Sequence, residues 1–287
     1  MRKLDFLGDE DVACFIQWLA DVISGKEVLR FKHVGGNYCF LDDALAKYSW
    51  PFKKVEFKHP VSGEKFFLAA GSCFAENQDR LEEFSRNLRN CLDGGSDWND
   101  LSGHMEAVMR WGGVYTRTKN GGGNAGWLDG FSGQPERLID YLKRACNVLS
   151  RDNDDDLRSM PELRSNSGLT KVYSLCLDNF VIYDSRVSGA LAWLIKKWAD
   201  GKYRKVPEEL EVSCMRGRGN LIRSPDEEVF PYFVPSGLPS NHHRHAQWNL
   251  RASWLIESAI HLSGSGRTSR EVEAALFMMG YDLSEAI

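Results

Sequence analysis

The spacing of apolar positions predicts a chain built mainly from helices. Val12, Phe15, Ile16, Leu19 and Ile23 recur at helical spacing, with Asp9 as an N-cap before them and Gly25 as the stop. Phe74, Leu81, Phe84, Leu88 and Leu92 mark a long amphipathic helix. A Gly-Gly-Ser break at 94–96 separates it from another that ends near Arg110. Leu138, Tyr141, Leu142, Ala145, Val148 and Leu149 give a further helix, and one more runs from about Ala246 to Leu262. Thr268-Ser269-Arg270-Glu271 is a capping box that opens a last helix, which stops at Gly280.

Between these stripes the pattern changes. Phe31 to Trp50 is mixed, with a turn at Gly35-Gly36-Asn37 and a short helix around Leu41 to Tyr48. Val55 and Phe57 alternate with charges, and Pro60-Val61-Ser62-Gly63 turns the chain into Phe66-Phe67-Leu68, which predicts a small β-hairpin. Tyr115 to Asn124 is basic, hydroxyl-rich and carries three consecutive glycines, so it reads as the most mobile loop. No Gly-Lys-Ser/Thr closes it as a phosphate-binding Walker loop would. The acidic run Asp152 to Asp156 reads as a solvated connection. Lys196 to Arg223 is rich in basic residues and reads as a solvated face. Trp198, Tyr203 and Gly217-Arg218-Gly219 also fit a surface that tracks a nucleic-acid backbone. Pro225 to Pro239 is extended and aromatic. No internal repeat is present.

The chemistry concentrates in Ser167 to Val187. A glycine turn leads into a short apolar segment with Lys171 on its first turn. A break at Asp178-Asn179 follows, then Phe180-Val181-Ile182-Tyr183, and Asp184 opens a new helix with Val187, Leu191, Leu194, Ile195 and Trp198 on one face. An amine and a carboxylate therefore stand at the starts of two consecutive helices. A lysine amine is a nucleophile only when neutral, and a helix's positive end with apolar neighbours such as Leu169, Val172 and Leu175 favours that form. The plain alternative for Lys171 is a surface lysine, and for Asp184 a simple N-cap. Arg186 sits where a cation is unfavourable without a counter-charge, which a salt bridge to Asp184 or a DNA phosphate would supply.

Gly168-x-x-Lys171-Val172, followed by Val181-Ile182-Tyr183-Asp184-Ser185-Arg186-Val187, resembles the core of the helix-hairpin-helix DNA glycosylases. It is most similar to the 8-oxoguanine glycosylase (OGG) branch and its compact bacterial relatives. The resemblance implies a nucleophilic lysine, Lys171, with Asp184 as its partner. It also implies DNA-backbone contacts at the hairpin around Gly168 and at Arg186. The family hairpin usually reads Leu-Pro-Gly-Val-Gly before the lysine, where this chain has Arg164-Ser165-Asn166-Ser167-Gly168-Leu169, and the lysine-to-aspartate spacing is shorter than in the eukaryotic enzymes.

The last helix adds a second resemblance. Glu273-Ala274-Ala275-Leu276-Phe277 matches the OGG pattern Gln-Ala-x-Leu-Phe, in which the amide reads the base edge and the ring stacks on the base. Spacing i, i+4 puts Glu273 and Phe277 on one face. A carboxylate accepts but cannot donate, so glutamate for glutamine shifts the expected base preference. The family's cysteine one turn after the lysine is Leu175 here, with Cys176 as the near neighbour. An enzyme acting on a duplex base must extrude it and fill the gap. The glycine-rich loop, with Arg117, Asn120 and Asn124, suits that insertion.

The expected fold is thus a mainly α, two-lobed helix-hairpin-helix glycosylase with a small β-hairpin near the N-terminus. Its lobes would comprise 1–100 plus the C-terminal helix, and 101–262, with the cleft between them. Composition narrows the alternatives. At 43% hydrophobic and 26% charged, the 287 residues read as one ordinary globular domain. A formal charge of −4 excludes wholesale coating by nucleic acid but allows one basic face. No stretch approaches a membrane span, Met1 to Asp5 lacks a signal-peptide core, and seven cysteines without paired spacing fit reduced thiols in a cytoplasm. His242, His243, His245 and His261 have no cysteine or carboxylate at ligand spacing, so neither a metal nor a cofactor is expected. The expected partner is duplex DNA with a modified base and the expected activity is glycosylase with AP lyase, as in base excision repair. Two alternatives stand beside it. One is excision or exchange of a modified base in phage nucleic acid or a nucleotide, with partner proteins of an anti-phage defence system. The other is a catalytically silent module that binds nucleic acid or protein.

Overall fold

The computed structural model describes residues 1–33, 36–58, 63, 65–94, 100–202, 205–233 and 239–286, and the chain is mainly helical. The expected turn residues Gly35 and Pro60-Val61-Ser62, the break at 95–96, and Tyr203 and Arg204 of the basic run lie outside the described residues, as do 234–238 of the aromatic stretch. Contacts divide the chain into two compact units. The first comprises Met1–Tyr48, Arg151–Asn166 and Asn179–Ile287, and the second Ser49–Ser150 and Ser167–Asp178. This division cuts the chain at different places from the lobes expected above. No helix among the described residues is long and apolar enough to cross a membrane.

In the first unit, α1 (Lys3–Leu7) and α2 (Glu10–Ile23) precede a hairpin of β1 (Phe31–His33) and β2 (Gly36–Tyr38), and α3 (Leu41–Ala46) follows. Asp9 caps α2 by accepting from Asp11 N and Val12 N, as its position before the apolar stripe predicts. Gly36 and Asn37, expected in a turn, instead pair in β2 with His33 and Lys32. After the long excursion into the second unit come α9 (Ser185–Lys202), α10 (Pro239–Ser263) and α11 (Ser269–Met279). Here α10 packs on α2, and α11 packs on α3 and α9. Thr268 and Glu271 form the reciprocal cap that the sequence predicts.

In two charged segments whose other described charged residues are exposed or half-exposed, one charged residue each departs from the expected solvated state. Asp154 begins a 3-10 turn and is buried, because its Oδ2 takes hydrogen bonds from Arg251 Nε at 2.8 Å and Gln247 Nε2 at 3.0 Å. Arg223, the end of the basic run, is also buried.

The second unit holds β3 (Val55–Lys58) and β4 (Lys65–Leu68), α4 (Phe74–Leu92), α5 (Leu101–Trp111), α6 (Gly123–Asp129), α7 (Pro135–Leu149) and α8 (Leu169–Cys176). The anticipated hairpin is β3 paired antiparallel with β4, and Phe57 opposite Phe66 packs its inner face. α4 lies against α5, α7 and α8. Asn77 of α4 is 1% exposed and ties the unit together. Its Oδ1 accepts from Trp111 Nε1 at 2.9 Å, and its Nδ2 donates to the carbonyls of Trp50, Ser72 and Cys73. Trp50 Nε1 in turn donates to Trp111 O at 3.1 Å, so the end of α5 is held from two sides.

Candidate active site

The second unit fixes Lys171 through α8. Every residue from Leu169 to Leu175 is buried, and Lys171 itself is only 4% exposed. Its Nζ folds back along the first turn to donate to Ser167 O at 2.9 Å. The far end of α8 is secured by a cation: Leu175 O accepts from Ser85 Oγ at 2.7 Å and Arg89 Nε at 3.1 Å, while Arg89 Nη2 pairs with Asp178 at 2.8 Å. A guanidinium at a helix C-terminus is the favourable sign for the dipole. Tyr173 and Tyr141 hydroxyls meet at 3.2 Å and join α8 to α7. Asn179, at φ 52°, takes the left-handed conformation that breaks the chain after α8.

Gly112, which follows α5, is the residue that motif reading passed over. Its φ of −75° and ψ of −3° suit any L-residue, so conformation does not demand a glycine there. Space does. A Cβ at this position would lie 2.5 Å from Lys171 Cδ and 2.7 Å from Lys171 Cε. The lysine stem therefore crosses the bare Cα of Gly112. The adjacent Gly112-Gly113 in the sequence signals only the end of a helix.

The glycine-rich loop is a closed turn. Thr118 N donates to Gly122 O at 3.0 Å, Gly121 N to Thr118 O at 3.0 Å, and Gly122 N to Thr118 Oγ1 at 2.9 Å. Gly121 and Gly123 supply the positive φ values, 75° and 84°, that such a turn needs. Asn124, expected to insert into DNA, is instead buried in α6 and donates to Val114 O at 3.0 Å. Arg117 pairs with Asp129, and Asn120 is exposed. Cys176 is half-buried. Its hydrogen bond with Cys146, and then burial, push its thiol well above the usual range, so it offers an apolar contact and no ready thiolate.

The first unit gathers Asp184, Arg186, Glu273 and Phe277. Phe180 to Tyr183 is buried and pairs with no strand among the described residues, and side chains of α10 and α11 bond its backbone. Ser253 Oγ accepts from Val181 N at 3.2 Å, Asn249 Nδ2 donates to Val181 O at 2.8 Å, and Glu273 Oε2 accepts from Ile182 N at 2.6 Å. His245 Nε2 lies 3.0 Å from Tyr183 O while its Nδ1 lies 2.7 Å from Ser165 Oγ, and Tyr183 OH donates to Ser213 O at 2.7 Å. His242 and His243 likewise meet backbone carbonyls, of Ser165 and Met160. Among the described residues no group of His, Cys, Asp or Glu side chains stands ready to hold a metal.

Asp184 ends this segment as the N-cap of α9, its Oδ1 accepting from Arg186 N at 3.0 Å and Val187 N at 3.2 Å. The Arg186 guanidinium lies 4.0 Å from the Phe277 ring centroid and 4.7 Å from that of Tyr281, two rings one helical turn apart. Burial lowers its pKa, while Asp184 raises it. Arg223 donates to Gly280 O, and burial followed by repulsion from Arg186 lowers its pKa to about 10. Tyr48 lies 5.9 Å from Phe277, and its hydroxyl is pushed up by burial and then by Glu273. The carboxylates of Asp184 and Glu273 therefore lie among two guanidiniums and three rings.

Glu273 is tied into the fold. Its Oε2 also takes the Arg270 guanidinium at 3.0 Å, on top of the Ile182 N–H. Glu273→Ala orphans a buried donor and is expected to cost about 1–3 kcal/mol, read as a lower urea midpoint. Glu273→Gln keeps an acceptor and should lose less. Equal stability of Glu273→Ala and the unmutated protein would remove the cap assignment.

A large open cavity of about 730 Å³ in the first unit, lined by Leu157, Glu208, His243, Trp248 and Arg251 among others, contains none of the expected catalytic or base-binding residues. Lys171 belongs to one compact unit and Asp184 to the other. No protein-family model, curated protein or solved structure matches this chain.

Proposed function

We propose that the protein is a DNA N-glycosylase with AP-lyase activity, built on an OGG-type helix-hairpin-helix fold and acting on an oxidised or otherwise modified purine. The observation that carries this reading is the Lys171 amine, buried on the first turn of α8 with its stem laid across a residue that has no side chain. A lysine kept for surface charge needs neither burial nor such a channel.

In this reading the Lys171 amine attacks C1′ of the nucleotide through its nitrogen lone pair. The bond from C1′ to the purine nitrogen breaks, its electron pair leaves with the base, and the base is protonated as the lysine nitrogen gives up a proton. The lysine nitrogen lone pair then opens the C1′–O4′ bond, whose electron pair goes to O4′ and is protonated by water, to give a protonated Schiff base. Loss of a C2′ proton expels the 3′ phosphate by β-elimination, and water hydrolyses the imine to return the amine. Asp184, held by two backbone N–H groups, supplies the negative charge that an oxocarbenium-like sugar requires. Arg186 is the cation for an adjacent phosphate.

The test is borohydride trapping on duplexes carrying 8-oxoguanine, other modified purines, a preformed abasic site or only normal bases. A covalent adduct is expected on the abasic site and on at least one modified purine. Absence of an adduct on the abasic site would overturn the proposal.

Phe277 offers a ring for the extruded base, with Arg186 against one of its faces. Phe277→Ala is expected to weaken binding of a lesion duplex about fivefold to a hundredfold, the worth of one base–aromatic stack, and to change binding of an abasic duplex little. Equal losses on both duplexes would assign the ring to holding Arg186 alone.

A further inference from the structure

The outward face of the β3–β4 hairpin carries charge that its fold does not explain. Register pairs Glu56 with Phe67 and Lys58 with Lys65, so these four side chains share one face, opposite the face that Phe57 and Phe66 bury. Lys54 joins them, its Nζ 5.0 Å from the Phe67 ring centroid. Phe67 is 57% exposed, among the most exposed large apolar side chains described. Three lysines thus share this face with an open phenyl ring and one glutamate, in a chain whose net charge is −4.

Two features separate this face from an ordinary solvated one. Like charges placed directly opposite on one face of an antiparallel pair are destabilising, and Lys58 opposite Lys65 is such a pair. Neither lysine forms an ion pair among the described residues, whereas Lys54 reaches Glu56 at 3.7 Å. The unexplained aromatic lies beside the unexplained charge. An anion is wanted between the lysines, and a flat apolar surface is wanted over the ring. A single nucleic-acid strand presents both, as phosphates alternating with bases.

We propose that this face binds single-stranded nucleic acid, with one base stacked on Phe67 and the flanking phosphates held by Lys54, Lys58 and Lys65. The proposal does not rest on the reading of Lys171.

The experiment uses the full chain and undamaged oligo(dT), so that no excision chemistry enters. Fluorescence anisotropy at several salt concentrations compares the unmutated protein with Phe67→Ala and with Lys58→Ala/Lys65→Ala, using heparin and anionic phosphatidylserine vesicles as competing ligands. Phe67→Ala is expected to weaken oligo(dT) binding about fivefold to a hundredfold and to leave the salt slope unchanged. The double lysine variant is expected to flatten that slope by about 1.4, or about 0.7 for each phosphate of the single strand that is no longer neutralised. Its melting temperature should hold or rise, because the like-charge pair is gone. Heparin binding should be insensitive to Phe67→Ala. Oligo(dT) binding that ignores both variants overturns the proposal. So does binding that depends on the lysines but not the ring, which would make the face a general polyanion patch. Vesicle binding lost in Phe67→Ala, with oligo(dT) binding intact, would assign the face to a membrane surface instead.

Discussion

Lys171→Gln is expected to abolish the borohydride-trapped adduct while the protein stays on DNA. A nucleophile cannot be replaced by an amide that lacks a basic lone pair, so the rate of adduct formation should fall on the order of a thousandfold or more. The fold should survive the change. Glutamine is shorter, but its amide still donates hydrogen bonds, and Ser167 O remains as an acceptor on the same helical turn. DNA affinity should change little, because phosphate contacts elsewhere supply most of it. The measurements are trapping on an abasic duplex, duplex affinity by anisotropy, and the urea midpoint as a control. Undiminished trapping would move the nucleophile to another residue. A fall in affinity matching the fall in trapping would make Lys171 a phosphate contact and nothing more.

What could be read in advance divides along physical lines. Helices with a full apolar stripe, such as α2, α4 and α7, were legible because their periodicity and caps are local properties. The β3–β4 hairpin was legible because Val55 and Phe57 alternate with charges over enough residues to fix a face. β1 and β2 were not, since three-residue strands carry too little alternation and Gly36 reads as a turn. The helix α6 hid behind Gly123, Asn124 and Gly126, poor helix formers. Its entry is anchored by the bond from Asn124 to Val114 O, which only tertiary structure supplies.

The same division runs through the site. Lys171 and Asp184 stood out because an amine and a carboxylate at helix starts are local signals. Burial of Asp154 and Arg223 could not be anticipated, because their partners Arg251 and Gly280 are far away in sequence. Glu273 was read for its resemblance to a base-reading amide. Its bond to Ile182 N arises because a buried segment that joins no described strand takes an acceptor from a helix distant in the chain.

Gly112→Ala should shift the lysine, and the sign of its effect on stability should depend on Lys171. At an unstrained αR position an alanine ordinarily stabilises by about 0.4–1 kcal/mol, because it restricts the unfolded chain. Here the added Cβ would meet the lysine stem at 2.5 and 2.7 Å, well inside van der Waals contact. The backbone at 112 cannot retreat easily: Gly112 N bonds Val108 O at 3.0 Å, and the preceding Trp111 is held by Asn77 and Trp50. The stem must therefore yield, and its movement is expected to shift the amine relative to Ser167 O. Overpacking a buried site costs roughly 1–3 kcal/mol. The movable end of a lysine favours the low end of that range, so against the usual gain from alanine the net change should be a small loss, under about 1 kcal/mol. In a Lys171→Ala background the obstruction is gone, and Gly112→Ala should become neutral or stabilising. That reversal, measured by urea unfolding of the four proteins in the cycle, is a coupling which a generally intolerant helix end would not produce. Trapping on an abasic duplex should fall about tenfold to a hundredfold in Gly112→Ala alone, the loss expected for a misplaced reacting group. A Gly112→Ala variant that loses stability equally in both backgrounds and traps at the unmutated rate would mean that the glycine serves the backbone and not the lysine.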